Sequence, residues 1–324
     1  MLTGNGVNRW ADKSLNYTIS ANGRFGGTVE HSIGDGPEFD HLMENFVANE
    51  LLTEIPSLEE QRNIGKLTES DRGLELATRL EFEINSEMAA EIERSYKDYC
   101  KLRDDVDVAA TVFRKFGKGL IKKFGVSPDA FIQMAIQLAN YWDQKRFVLT
   151  YESASARFYK NSRTETLRTV SKQSCEFVLS MMNEGVSDDE KIKRLRTACD
   201  TGQGIDRHLF VLYVLSQGLC VSSPFLDHFV SQPWLLSTSH IPKVTNQIDE
   251  DNEVWKSWLG ACFGAVAQHG YGICYRFAGN HSIIAHVTSY KSARNTDSAR
   301  FRDHLTNAFR KMADLFSTEA NVQI

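Results

Sequence analysis

Apolar residues recur along this chain with two spacings, and the alternation between them predicts a mixed architecture. Leu42, Phe46, Val47 and Leu51 share one face of a predicted helix over Asp40 to Leu52, because residues three or four apart lie on one side of a helix. Ser14 to Ser20 and Gly26 to Val29 read instead as short strands around an Ala-Asn-Gly turn at 21–23, a hairpin signal. Leu80-Glu81-Phe82-Glu83-Ile84 alternates as a strand should, and Ser86 stands where it can cap a helix running to Leu102. Ser127-Pro128-Asp129 marks another helix start, with a hydroxyl cap, a proline in the first turn and a carboxylate at the positive end of the dipole. Phe131, Met134, Ala135, Leu138 and Tyr141 continue that helix along one face.

Phe147 to Tyr151 reads as a strand, and Thr164 to Asn183, Asp188 to Asp200 and Asp206 to Ser216 as helices. Gly270 to Phe277 and Ser282 to Thr288 are predicted strands, followed by a terminal helix from Asp297 to Leu315. The polar stretch Glu59 to Glu75 reads as a linker or crossover. Long helices between separated strands predict the α/β class, with mixed sheets and flanking helices.

At 324 residues, with 42% hydrophobic and 24% charged side chains, the chain has enough apolar material for more than one core. A net charge of -5 and a pI near 6.0 argue against nucleic-acid binding, which needs a broad basic surface. Six scattered cysteines form no Cys-x-x-Cys pair, so neither a metal site nor a disulfide framework is expected. The apolar stretch Leu209 to Val221 is interrupted by Ser216, Gln217 and Gly218 and is too short for a membrane span. Met1 to Gly6 is polar and does not read as a signal peptide.

Within this acidic chain, Arg114-Lys115-Phe116-Gly117-Lys118-Gly119-Leu120-Ile121-Lys122-Lys123 is the densest basic run. Lysines neutralise phosphate as point charges, and glycines admit close backbone approach. A solvated basic loop accounts for the same composition, and the spacing is not that of a nucleotide-triphosphate loop. His31 follows a predicted strand, in Glu-His-Ser-Ile-Gly-Asp-Gly, where an imidazole can take and return a proton. A surface or hydrogen-bonded core histidine is the plainer reading. Thr150 to Arg157 and Leu236 to Ser239 supply hydroxyls without a nucleophilic serine motif, and a base without a nucleophile points to direct transfer between two substrates.

Taken in order, Asn8-Arg9-Trp10-Ala11-Asp12, Glu30-His31-Ser32, Phe116-Gly117-Lys118-Gly119, Ser127-Pro128-Asp129-Ala130-Phe131, Thr150-Tyr151-Glu152-Ser153, Gly204-Ile205-Asp206-Arg207-His208 and Leu236-Ser237-Thr238-Ser239 resemble the choline/carnitine acyltransferase family. The likeness runs over almost the whole chain. Gly204 to Tyr213, Ser223-Pro224-Phe225-Leu226 and Gln232-Pro233-Trp234 are most similar to the C-terminal part of the type-1 carnitine palmitoyltransferases. The resemblance implies two related acyltransferase domains, the first only partly present as residues 1–75 with the histidine, and the second as residues 76–324 with the coenzyme A and carnitine sites.

It further implies that His31 is the general base, that Asp35 holds its loop or ring, and that Ser239 donates to the oxyanion of the tetrahedral intermediate. Coenzyme A would lie along Gly117, Lys118, Gly119, Leu120, Ile121, Lys122, Lys123, Ser127 and Asp129. Tyr151, Ser153, Thr164 and Arg207 would hold the carnitine carboxylate, with Phe263 against the trimethylammonium. The small residues Gly260, Ala261 and Cys262 would leave room for a long acyl chain. Acyl-CoA and L-carnitine are the implied substrates, no tightly bound cofactor is implied, and the location would be mitochondrial, at an outer membrane to which type-1 members are anchored. His240, Ala265 and His269 depart from the family's usual Gln, Pro and Asp, and family members carry a long region before the position of Met1. A truncated, catalytically silent relative that binds acyl-CoA or a partner chain is the alternative.

Overall fold

The computed structural model describes residues 2–10, 12–22, 24–32, 34–52, 80–154, 159–160, 163–202, 204–242, 249, 251 and 260–317. The predicted hairpin forms as β1 (Leu15–Ile19) and β2 (Phe25–Val29), antiparallel, with Tyr17 opposite Gly27. Helix α1 (Gly36–Leu52) starts four residues earlier than the apolar pattern indicated. The expected linker at 59–75 lies outside the described residues.

Residues 80–84 do not form a strand, and Leu80, Phe82 and Ile84 are exposed. Alternation supplies a face, but a strand also needs an edge to pair with, and no described residue pairs with these. The cap of α2 (Ser86–Asp105) is Asn85 rather than Ser86, its side chain accepting from the Met88 amide at 2.8 Å. β3 (Val106–Phe113) follows with no intervening turn, and α3 (Lys118–Lys123) is a single short helix inside the basic run. Helix α4 (Pro128–Gln144) forms as its start signal predicts, capped by Ser127.

Lys145 ends α4 in the left-handed region, so β4 (Thr150–Ala154) begins three residues after the predicted position. The helix expected over 164–183 divides into β5 (Glu165–Arg168) and α5 (Lys172–Met181). Threonines favour the strand, and a reciprocal Ser171–Ser174 capping box fixes where the helix can begin. Next come α6 (Asp188–Cys199), α7 (Asp206–Gly218), α8 (Pro224–Ser231), β6 (Leu236–His240), β7 (Tyr271–Ala278), β8 (Ser282–Tyr290) and α9 (Ser298–Asp314).

β3 through β8 form one mixed six-stranded sheet in the order β3-β8-β7-β6-β4-β5. Its β4–β6 and β6–β7 pairs are parallel, and the others are antiparallel. One face is covered by α4 and α9 and holds the core, including Phe113, Phe131, Leu138, Ile273, Phe277, Ile283, Val287, Leu305 and Phe309. Alternation along each strand turns the other set of side chains away from those helices. That second face carries Tyr151, Ser153, Ser239, Cys274, His286 and Thr288.

Candidate active site

The loop after β2 is tied to the residues before β5 by a single cation. Arg163 donates to Asp35 Oδ1 through both Nη2 at 2.7 Å and Nε at 3.2 Å, and its Nη2 also reaches the carbonyls of His31 at 2.8 Å and Gly34 at 3.3 Å. Asp35 Oδ2 accepts from the Thr164 amide at 3.2 Å. The guanidinium holds the Asp35 carboxyl below the usual aspartate range, although burial acts in the opposite direction. His31 Nδ1 lies 3.7 Å from Asp35 Oδ1, and its ring is largely open to solvent, at 66% exposure. Asp35 is therefore fixed as a charged neighbour of an accessible imidazole. Arg163 is the functional candidate that sequence reasoning passed over; 128 positions separate it from Asp35.

Arg207, near the start of α7, donates to the Thr164 carbonyl and lies with Nε 3.1 Å from Glu165 Oε2. The two residues expected to meet one carboxylate, Thr164 and Arg207, are thus in direct contact. Next to Arg207, Asp206 pairs with Arg168 at 2.9 Å, fastening the start of α7 to β5. β5 pairs with β4, placing Thr166 opposite Ser153 and Arg168 opposite Tyr151, and β4 in turn places Tyr151 beside Ser237 of β6. Tyr151, Ser153 and Ser239 consequently share one sheet face, joined through β5 to the histidine loop.

Gly260, Ala261, Cys262 and Phe263 pass over that same face. Thr288 Oγ1 donates to the Phe263 carbonyl at 2.7 Å, and a Cβ placed on Gly272 would sit 3.0 Å from the Phe263 ring. A Cβ on Gly260 would overlap His286 Cε1, with Nδ1 at 3.0 Å and Nε2 at 3.2 Å. The space left by the missing side chain is already filled by an imidazole.

The basic run presents its lysines from α3. Ile121 is fully buried and Leu120 packs against the core, so these two anchor the segment, while Lys122 and Lys123 are exposed in the last turn. Gly117 and Gly119 are needed for a protein contact: the Gly119 amide donates to Asn280 O at 3.1 Å, and a Cβ at Gly117 would meet Ser282 N at 2.5 Å. Lys118 and Lys122, four residues apart, lie on one side of this helix.

At the start of α4, Asp129 Oδ1 accepts from Tyr275 Oη at 2.6 Å and lies 3.1 Å from His240 Nδ1. Burial, with the charge of Asp129 adding to it, raises the pKa of Glu152 to about 9. Glu152 is therefore protonated at neutral pH. Burial also lowers the pKa of His240, whose ring stacks on Tyr275 at 5.1 Å between centroids. Gln133 Nε2 donates to Tyr275 Oη at 2.9 Å and Thr238 Oγ1 at 3.0 Å, and the Thr238 hydroxyl donates to the Tyr151 carbonyl at 2.8 Å. A hydrogen-bonded path thus runs from Asp129 on one side of the sheet to the backbone of Tyr151.

The family model described as Choline/Carnitine o-acyltransferase matches residues 1–307. The chain is 39% identical to the carnitine O-palmitoyltransferase 1 muscle isoform of Rattus norvegicus over 98% of its own length and 42% of that protein's. It is 38% identical to the liver isoform of Homo sapiens, covering 99% of this chain and 42% of that one. Identity to the carnitine O-acetyltransferase of Columba livia is 34%, over 97% of this chain and 48% of that protein. The chain therefore spans less than half the length of these relatives.

Proposed function

Because the chain belongs to the choline/carnitine O-acyltransferase family, we propose that it carries the base histidine, coenzyme A segment and carnitine pocket of a carnitine O-acyltransferase using long-chain acyl-CoA. The hydroxyl of carnitine gives its proton to His31 as its oxygen bonds to the thioester carbonyl carbon. The carbonyl electron pair moves onto oxygen, and Ser239 donates a hydrogen bond to that oxyanion. Collapse re-forms the carbonyl and breaks the carbon–sulfur bond. The departing coenzyme A thiolate then takes the proton from His31, so the base is regenerated without an acyl-enzyme.

The Asp35–Arg163 clamp carries this reading. It joins the accessible imidazole to Thr164, and through β5 and β4 to the face bearing Tyr151, Ser153 and Ser239. Asp35 Oδ1, 3.7 Å from His31 Nδ1, is positioned to orient the ring during transfer. Arg207 supplies the positive charge for the carnitine carboxylate, beside Thr164. Phe263 receives the trimethylammonium, and Lys118 and Lys122 meet the coenzyme A phosphates from α3, with Lys123 beside them and Ser127 and Asp129 at the adjoining helix start.

A mitochondrial location follows from the family resemblance alone. Among the described residues, no helix is long and apolar enough to cross a membrane. The deciding experiment measures thiol release from palmitoyl-CoA with and without L-carnitine. Carnitine-dependent release that disappears in His31→Ala is expected; release independent of carnitine, or unchanged in His31→Ala, refutes the mechanism.

A further inference from the structure

We propose that the Gly260–His286 contact is a gate to the deep end of the acyl compartment, so that His286 determines which acyl lengths fit. The inference rests on the acyltransferase reading, which puts the thioester carbonyl at Ser239. Ser239 is the register partner of Cys274, and Cys274 that of His286, so the three form a row across β6, β7 and β8. Adjacent strands lie about 4.8 Å apart, which sets His286 about 10 Å from Ser239 along the row. At ~1.25 Å of advance per carbon, from ordinary bond lengths and angles, an extended chain reaches the imidazole after about eight carbons.

The row is bounded on both sides. Toward one end of the strands, Phe263 covers Gly272; toward the other, Arg276 and its partner Ile284 are buried. Cys274, between them, is small and buried. Beyond it the path meets His286, directly beneath Gly260. Burial lowers the pKa of His286, so the ring lining this path is neutral near physiological pH. A longer chain passes only if the imidazole leaves its position under Gly260. No other side chain of the row occupies that position among the described residues.

The test is a series of acyl-CoA thioesters from butyryl to palmitoyl, titrated calorimetrically into the full chain without carnitine. Each buried methylene strengthens binding about fourfold. In the unaltered chain this gain is expected to hold to about eight carbons and then break, because longer chains must displace the ring. His286→Ala removes the break and raises the palmitoyl-to-butyryl affinity ratio at least tenfold. Gly260→Ala, which presses a Cβ onto the ring, lowers that ratio, and the double variant restores it, as expected for two residues acting on each other.

The break in the unaltered chain tests the gate even if a variant fails to fold. An unbroken gain through palmitoyl overturns the gate alone, as does an unchanged ratio in folded variants. If butyryl-CoA does not bind the unaltered chain at all, the coenzyme A reading falls and the gate with it.

Discussion

Replacing Arg163 by Met tests whether the clamp organises the histidine loop. The side chain makes two hydrogen bonds to Asp35 Oδ1 and reaches two carbonyls of the loop, at His31 and Gly34. Hydrogen bonds to charged groups contribute roughly 1.5–3 kcal/mol each when water is excluded. Arg163 is half exposed, so screening and competing water bring the clamp well below that range. The expected change in the ratio of docked to undocked loop is several-fold. Hydrogen exchange at the Thr164 amide, which donates to Asp35, reads the docking directly. Arg163→Met should speed this exchange by that factor and lower kcat/KM comparably, while coenzyme A affinity stays unchanged. In the unaltered chain the depressed Asp35 pKa makes the clamp fully effective above the ordinary aspartate value and progressively lost in more acidic solution. The variant should let Asp35 take up its proton at a higher pH. Unaltered exchange at Thr164 together with unaltered kcat/KM refutes the clamp.

Gly117→Ala drives a Cβ into Ser282 N and Asn280 O; a loss of about 1–3 kcal/mol should appear as a lower Tm, with weaker coenzyme A binding as α3 shifts, and an unchanged Tm would contradict the contact. Glu152→Gln should leave stability near pH 5 almost unaltered, because the carboxyl is protonated when folded. Above the unfolded pKa the unfolded chain releases this proton while the folded chain keeps it until about 9, so the unaltered chain should lose stability between roughly pH 5 and 9. Denaturant unfolding should show a flatter profile for the variant across that window, and parallel profiles would refute the assignment. Thr238→Val removes the acceptor for Gln133 and the donor to Tyr151; urea unfolding should show a loss of about 1–3 kcal/mol, and no loss would mean that the buried network is dispensable.

Local signals in the sequence translated directly into structure, and signals that depend on distant partners did not. Ser127, Pro128 and the apolar spacing after them specify α4 because cap, first turn and buried face all lie within one segment. Leu80 to Ile84 carries an equally regular pattern, yet its outcome depends on a pairing edge that the pattern cannot supply. β3 escaped notice for a related reason: Asp105 ends a helix and Val106 starts the strand, leaving no turn residues to mark the boundary. In the site, His31 and the lysine run were visible as unusual residues in plausible surroundings. Arg163 was not, since an arginine before Thr-Glu-Thr gains its meaning only when the fold brings Asp35 to it. Gly117 and Gly119 were visible as glycines, but their close packing against the turn at Asn280 was not, because that contact is made by a segment more than 160 positions away.

The Ser-Thr-Ser sequence of β6 sends neighbouring hydroxyls to opposite faces of the sheet. Alternation sends Ser237 and Ser239 to the face bearing Tyr151 and Ser153, and Thr238 to the helix side, where Gln133 meets it. Thr238 uses both its acceptor and its donor capacity, taking a hydrogen bond from Gln133 and giving one to the Tyr151 carbonyl. Gln133 in turn donates to Tyr275, which donates to Asp129 beside the basic segment. The network runs outward in two arms from the Gln133 amide, one through Tyr275 to Asp129 and one through Thr238 to the Tyr151 carbonyl, so moving Asp129 requires Tyr275 and Gln133 to re-form their bonds. The Tyr151 carbonyl and the Asp129 carboxylate are consequently the two acceptor ends of one network centred on Gln133, which joins the proposed coenzyme A and carnitine sites through β6 rather than through the solvent-facing loops.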